Sequence, residues 1–263
     1  MPELPEVETV RRDVLPKVRG RTVRRVELAD RRILKGYSAP KFIKGLTGQK
    51  IIDLERRAKY LLFKLASGKY FVVHLGMTGR LLFAPDKYVK AIFTLSDGKK
   101  LYYSDLRLFG RLKLFDRYPE LKLGPEPLGN EFTPELFKSM LAKRKGPIRS
   151  VLLDQKMLAG LGNIYVLESL FAAGIRPDRK ANSLKTDEVK KLHSEIRKVL
   201  IKSLGLRGTS FNWYVDAKGK KGSFQLNLMV YGRKGEPCPV CGTPIKRTNI
   251  GQRGTYYCPR CQK

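Results

Sequence analysis

Four cysteines, a proline at the start of the chain with two glutamates beside it, and a large excess of cations are the residues with chemistry to offer. The cysteines come as Cys238-Pro-Val-Cys241, sixteen residues, then Cys258-Pro-Arg-Cys261. Two CxxC turns let four thiolates converge tetrahedrally, and four soft ligands with no open position suit one structural Zn²⁺. So small an element has almost no core, and the metal then supplies its folding free energy, on the order of 10–16 kcal/mol in isolated finger peptides. Two disulfides or a redox pair are the alternative use of this spacing, and a reducing compartment disfavours the disulfides. Lys246, Arg247 and Arg253 lie between the pairs, with Tyr256 and Tyr257 close to the second. A basic hairpin tip on a zinc support suits a phosphate backbone or a groove.

The N-terminus reads Met1-Pro2-Glu3, with Glu6 one turn further on. Initiator methionine is generally removed before a small residue, which leaves Pro2 with a secondary amine. An amine can attack a sugar carbon and form an iminium, so that one difficult displacement becomes two easier steps. With a reference pKa of about 8, an α-amino group has a useful neutral fraction near pH 7. Glu3 and Glu6 stand where proton donors or acceptors would stand. Taken alone, Pro and Glu at a helix start are more often capping residues than catalysts.

Lys and Arg number 54 against 24 Asp and Glu, a formal net charge of +30, within a chain of ordinary hydrophobic content. That field points to a polyanionic partner, since each neutralised phosphate releases counterions. A heat-adapted surface would raise acids and bases together, and here the acids stay few. No apolar run approaches the roughly 20 residues of a membrane helix, and acids stand where a secretory signal carries cations, so a cytoplasmic, reducing setting is expected.

Several elements must position these groups. Val7, Val10, Val14 and Val18 recur at helical steps. Eight β-rich runs follow: Thr22–Leu28, Lys50–Leu54, Tyr60–Leu65, Tyr70–Leu75, Leu81–Phe83, Ala91–Leu95, Lys100–Tyr103 and Arg111–Phe115. Ser67-Gly68 and Asp97-Gly98 are hairpin signals between runs. The Gly/Pro-rich stretch 123–129 marks a boundary. Helices are expected near 134–143, 147–157, 163–173 and 186–203, with Thr133 and Thr186 as caps. Residues 205–223 read as a basic, glycine-interrupted loop. The fold class is therefore α+β: a leading helix, an N-terminal antiparallel sandwich or flattened barrel, helices, and a terminal four-cysteine zinc hairpin.

Beyond these readings, PELPEVETV (2–10), RRAKYLLF (56–63), HLGMTGRL (74–81), DLRLFG (105–110), LGPEPL (123–128), LLDQKMLAGLGNIYVLESLFAAGIRP (152–177), VYGRKGEPCPVCGTPI (230–245) and GQRGTYYCPRCQ (251–262) resemble, in order and over almost the whole chain, the formamidopyrimidine-DNA glycosylase family. The resemblance implies three parts: 1–129, a catalytic β-sandwich domain; 130–225, a helix-two-turn-helix domain with a lesion-capping loop near 205–223; and 226–263, a zinc finger. It implies a bifunctional glycosylase and abasic-site lyase that excises 8-oxoguanine and formamidopyrimidines from duplex DNA in base excision repair. Pro2 attacks the sugar C1′ to form a Schiff base, and β- and δ-elimination follow. It implies a bacterial, nucleoid-associated setting, and the chain is read as a monomer.

The same resemblance assigns roles. Glu3 is the acid/base that helps open the sugar ring, Glu6 a second acid that organises the site, and Lys59 the catalytic lysine that grips phosphates; alone, Lys59 reads as a solvated strand lysine. His74, otherwise an ordinary strand histidine, contacts phosphate. Asn163 binds phosphate at a helix start, where it also reads as an N-cap, and Arg253 completes the grip. Met77, Arg107 and Phe109 fill the hole left by the extruded base. Met77 and Phe109 would otherwise be core residues, but Gly76, Gly79 and Gly110 beside them favour exposed turns.

Two departures stand out. Asp105-Leu106-Arg107-Leu108-Phe109-Gly110 replaces the family's usual DPRRFG, which leaves opposite-base preference open, and Ala58 stands where Gly is common, with little effect expected. Two other functions are weighed: an endonuclease VIII-like glycosylase for oxidised pyrimidines, and a non-catalytic zinc-ribbon DNA-binding protein. The Met77/Arg107/Phe109 set favours the purine branch, and binding alone needs neither a proline start nor paired acids.

Overall fold

The valine stripe of the first helix has a sheet to cover. In the computed structural model, which describes residues 2–211 and 213–263, α1 (Leu4–Val18) buries Val7, Val10, Val14 and Val18 and packs on two strands. Whether Met1 is retained lies outside the described residues, as does Asn212 of the 205–223 loop. Each of the eight predicted β-runs overlaps a strand. They are β1 (Val23–Leu28), β2 (Ile51–Arg57), β3 (Tyr60–Leu65), β4 (Tyr70–His74), β5 (Gly79–Leu82), β6 (Val89–Leu95), β7 (Lys100–Asp105) and β8 (Arg111–Phe115), with β2, β5, β6 and β7 reaching beyond their runs. They form two antiparallel four-stranded sheets, ordered β1-β6-β7-β5 and β2-β3-β4-β8. Inward residues of both sheets share one core, where the rings of Phe71 and Phe93 approach to 5.1 Å. Gly68 and Gly98 turn the two anticipated hairpins at φ 80, where a side chain would be strained.

Among the described residues one α-helix has no counterpart in the sequence reading. Ser38 caps α2 (Ala39–Leu46), which adds Phe42 and Leu46 to the core; eight residues are too few for a clear period.

By its contacts the chain forms two compact units: the chain up to Leu121 together with Leu204–Gln225, and Lys122–Ser203 together with Leu226–Lys263. The segment 205–223, placed by sequence with the helices, thus folds with the first unit.

The second unit holds α3 (Pro134–Ala142), α4 (Ile148–Leu153), α5 (Asn163–Ala173), α6 (Thr186–Gly205, its last two residues grouped with the first unit) and the hairpin β9 (Lys246–Ile250)–β10 (Arg253–Tyr257). Thr133 caps α3 as expected, its hydroxyl accepting from Leu136 N. Thr186 is instead the first helical residue of α6: the Lys185 carbonyl accepts from Val189 N, and the Glu188 carboxylate accepts from Lys185 N. The expected helix 147–157 stops at Leu153. Beyond it, the Gln155 amide donates to the carbonyls of Leu153 and Leu161 and accepts from Gly160 N, folding those residues into turns. Buried Glu168 on α5 accepts from Met229, Val230 and Tyr231 N, holding the lead-in to the hairpin. Its burial, opposed by those three bonds, raises its pKa.

Candidate active site and metal centre

The first unit gathers eight of the expected residues. Pro2 is buried just ahead of α1, and Glu3 and Glu6 are 3 % and 1 % exposed. The two acids close a reciprocal capping box: Glu6 Oε2 accepts from Glu3 N at 2.8 Å, and the Glu3 carboxylate accepts from the N–H of Glu6. Capping is thus real here, and it fixes both carboxylates beside Pro2. The other Glu6 oxygen accepts from Thr209 N at 2.7 Å, a partner 203 residues away in sequence. A carboxylate holding two backbone N–H groups is a fixed acceptor, suited to organising the site.

Lys59 is buried on the β2–β3 turn, preceded by Ala58 at φ 52. That left-handed backbone is one that glycine adopts freely, whereas a Cβ there costs roughly 1–2 kcal/mol. His74 lies opposite Tyr60, with the rings 4.7 Å apart, and opposite Arg111 on β8. Burial, then the nearby Arg111 and Lys59 cations, pushes the His74 pKa down to about 4. His74 Nδ1 accepts from Gly76 N at 3.2 Å, so the neutral ring carries its proton on Nε2. It can meet a phosphate as a hydrogen-bond donor, without a cation's charge.

Met77 and Phe109, 39 % and 46 % exposed, stand out on turns, and Arg107 is exposed beside them. The Arg107 guanidinium lies 4.5 Å from the Phe109 ring centroid. Sequence reasoning passes over what joins these turns. Fully buried Asp105 accepts four hydrogen bonds: from the Thr78 hydroxyl (2.5 Å), Arg107 N (3.2 Å), Gly110 N (2.8 Å) and the Tyr103 hydroxyl (3.2 Å). Gly76, at φ 62, lies so close to the other turn that a Cβ would sit 2.5 Å from Gly110 N and from the Phe109 carbonyl carbon. Lys35 Nζ donates to the Leu108 carbonyl at 2.6 Å. The only sequence signal for Asp105 is its place in DLRLFG, which by itself assigns it no role.

The second unit holds Asn163, Arg253 and the cysteines. Gly162 is the N-cap of α5, so Asn163 is its first residue and not the cap. Its Oδ1 accepts from Arg149 at 2.6 Å and its Nδ2 donates to Gly254 O at 3.0 Å; Arg149 also donates to Ile250 O at 2.8 Å. Burial and the nearby Arg253 cation lower the Arg149 pKa. Arg149, which sequence reasoning misses, thereby fixes Asn163 against the hairpin that carries exposed Arg253.

The four cysteine sulfurs all lie within 4.8 Å of one another, with Cys238–Cys261 at 3.9 Å and Cys241–Cys258 at 3.5 Å. A tetrahedron with Zn–S bonds of about 2.3 Å has edges of about 3.8 Å, so the thiols fit one Zn²⁺ with no open position. The centre is structural, and Cys238 and Cys258 are part of a small core with Leu167, Phe171, Val230 and Ile245.

Three family models match in succession: the formamidopyrimidine-DNA glycosylase N-terminal domain at residues 1–112, the formamidopyrimidine-DNA glycosylase H2TH domain at 123–214, and the zinc finger found in FPG and IleRS at 235–263. The chain is 46% identical to the formamidopyrimidine-DNA glycosylase of Symbiobacterium thermophilum, covering 100% of this chain and 89% of that protein. It is 43% identical to that of Bacillus subtilis, covering 100% and 99%. Among solved structures, MutM (FPG) from Thermus thermophilus superposes with a TM-score of 0.91 at 40% identity, over 99% of this chain and 98% of that one. A MutM complex with DNA containing carbocyclic 8-oxo-G superposes with a TM-score of 0.91 at 36% identity, over 100% of both chains. This chain belongs to the formamidopyrimidine-DNA glycosylase family.

Proposed function

We propose that this chain is a DNA-repair glycosylase and abasic-site lyase that excises 8-oxoguanine and formamidopyrimidines from duplex DNA through a Schiff base on Pro2. The observation that carries the reading is the platform of Met77, Arg107 and Phe109: two large apolar side chains and a guanidinium kept exposed on turns bound to one buried carboxylate. A protein that only binds intact duplex has no need of such a wedge, whereas base extrusion leaves a hole to be filled. Once Met1 is removed, the Pro2 nitrogen attacks C1′, the damaged base leaves, and the sugar ring opens to an iminium, with Glu3 moving the ring-opening proton. β- and δ-elimination then break the two flanking C–O bonds. Lys59, His74, Asn163 and Arg253 hold the phosphates. Zn²⁺ shapes the hairpin and takes no part in the chemistry. Among the described residues no helix is long and apolar enough to cross a membrane. A monomer working in the bacterial cytoplasm, at the nucleoid, completes the proposal.

Borohydride trapping on a duplex with 8-oxoguanine opposite cytosine, with intact-mass analysis of the same protein, tests it. A covalent adduct mapped to Pro2, on protein lacking Met1, is expected. An adduct only with an oxidised pyrimidine moves the chain to the endonuclease VIII-like specificity. No adduct on any lesion, with Met1 absent and zinc bound, refutes the enzyme.

A further inference from the structure

Arg207 stands at the start of the 204–225 segment with a left-handed backbone, φ 60, which a residue with a side chain adopts only when something holds it there. Its side chain bridges two carboxylates. Nη2 lies 2.5 Å from Asp13 Oδ2 on α1 and 2.5 Å from Asp216 Oδ2 further along the segment, and Nε donates to the same Asp216 oxygen at 3.0 Å. Both aspartates are nearly covered, with side chains 6 % and 1 % exposed. The other Asp216 oxygen accepts from Lys218 N and Lys220 N, each at 2.9 Å, so that carboxylate shapes the turn that follows.

The next two residues meet Glu6. Gly208, at φ 85, passes so close that a Cβ would lie 2.7 Å from Glu6 Oε1, and Thr209 N donates to that oxygen at 2.7 Å. The Tyr214 hydroxyl donates to Arg207 O at 3.2 Å and reaches Glu6 O at 3.4 Å.

We propose that Arg207 is a positioning residue: by neutralising Asp13 and Asp216 together, it latches the 204–225 segment onto α1 and presents the Thr209 N–H to Glu6. The inference rests on the proposed role of Glu6 in organising the site beside Pro2. Without the guanidinium, two covered carboxylates of like charge face each other across the join, and their repulsion lifts the segment away from Glu6.

The test compares wild type, Arg207→Gln and the double variant Asp13→Asn/Arg207→Gln on the full-length zinc-loaded protein. Hydrogen exchange of the Thr209 amide and of residues 216–220 reads the latch directly. Single-turnover release of 8-oxoguanine and cleavage at a pre-formed abasic site read its consequence. Arg207→Gln is expected to speed exchange at Thr209 at least 10-fold and to slow base release and abasic-site cleavage alike, each about 10-fold, because both begin with Pro2 beside Glu6. Removing one of the two opposed charges in the double variant restores much of both losses, which a residue serving only as packing would not do. Unchanged exchange in Arg207→Gln, faster exchange with unchanged base release, or a double variant no better than the single one each overturn the inference. Wild-type protein that releases no oxidised base refutes the proposed function instead, and exchange at Thr209 then still decides whether the latch exists.

Discussion

Replacing Asp105 by Asn changes one acceptor oxygen to an amide at nearly constant volume. The native carboxylate divides its four donors evenly: Thr78 hydroxyl and Arg107 N on Oδ1, Gly110 N and Tyr103 hydroxyl on Oδ2. With its NH₂ in the Oδ2 place the amide faces the Gly110 N–H; with its NH₂ in the Oδ1 place it removes the acceptor of the Thr78 hydroxyl proton, while Arg107 N keeps Thr78 Oγ1 at 3.0 Å. A hydroxyl can rotate and accept, but an N–H cannot. One buried donor left unpaired costs about 1–3 kcal/mol, and weakening the remaining bonds from a charged to a neutral acceptor costs roughly 1 kcal/mol more. The sum, about 2–4 kcal/mol, falls on the two turns that carry Met77, Arg107 and Phe109. If the platform must be rigid when the base is extruded, single-turnover release of 8-oxoguanine slows by about 100-fold. Cleavage at a pre-formed abasic site, where no base has to be displaced, should change by less than about 5-fold. Thermal unfolding separates this local effect from global loss, since a fully transmitted cost would lower Tm by roughly 2–4 °C per kcal/mol. Base release within about 3-fold of wild type, or equal losses on both substrates, would refute the reasoning.

Cys258→Ser removes a fully buried ligand, and the protein should lose its zinc and at least 10-fold in duplex affinity; metal analysis and a binding titration at fixed salt check this, and retention of both contradicts a structural centre. Arg149→Met frees Asn163 from its tie to the hairpin and should weaken binding to an abasic-analogue duplex about 10-fold with zinc content unchanged. Its salt dependence should stay that of wild type, because buried Arg149 neutralises no phosphate; a shallower slope would make Arg149 itself a phosphate contact. His74, with its folded pKa near 4 against 6.5 unfolded, stays neutral where the unfolded chain takes up a proton. Its contribution is present above pH 6.5 and lost as pH falls toward 4, about 1–2 kcal/mol after allowance for its partial exposure. Urea midpoints at pH 7 and 4.5 should therefore drop further for wild type than for His74→Gln, and equal drops would place the His74 ring in water.

The features legible in the sequence are those whose physics is local. CxxC turns bring sulfurs together within a few residues, valines at helical steps declare a buried face, and Ser67-Gly68 and Asp97-Gly98 demand their turns whatever surrounds them. The family resemblance implies glycine at position 58, and only the backbone shows a cause, a left-handed φ of 52 at Ala58. Helix 147–157 is overextended by sequence because its apolar spacing continues past Leu153, while the Gln155 side chain takes the backbone groups that a helix would use. Tertiary structure decided what holds the functional groups still. Asp105 meets Thr78 across 27 residues, Arg149 meets Ile250 across 101, and Arg207 meets Asp13 across 194. Charge and hydrogen bonding act through space, and a sequence records neither which distant donor a carboxylate will face nor how well water is excluded when it does.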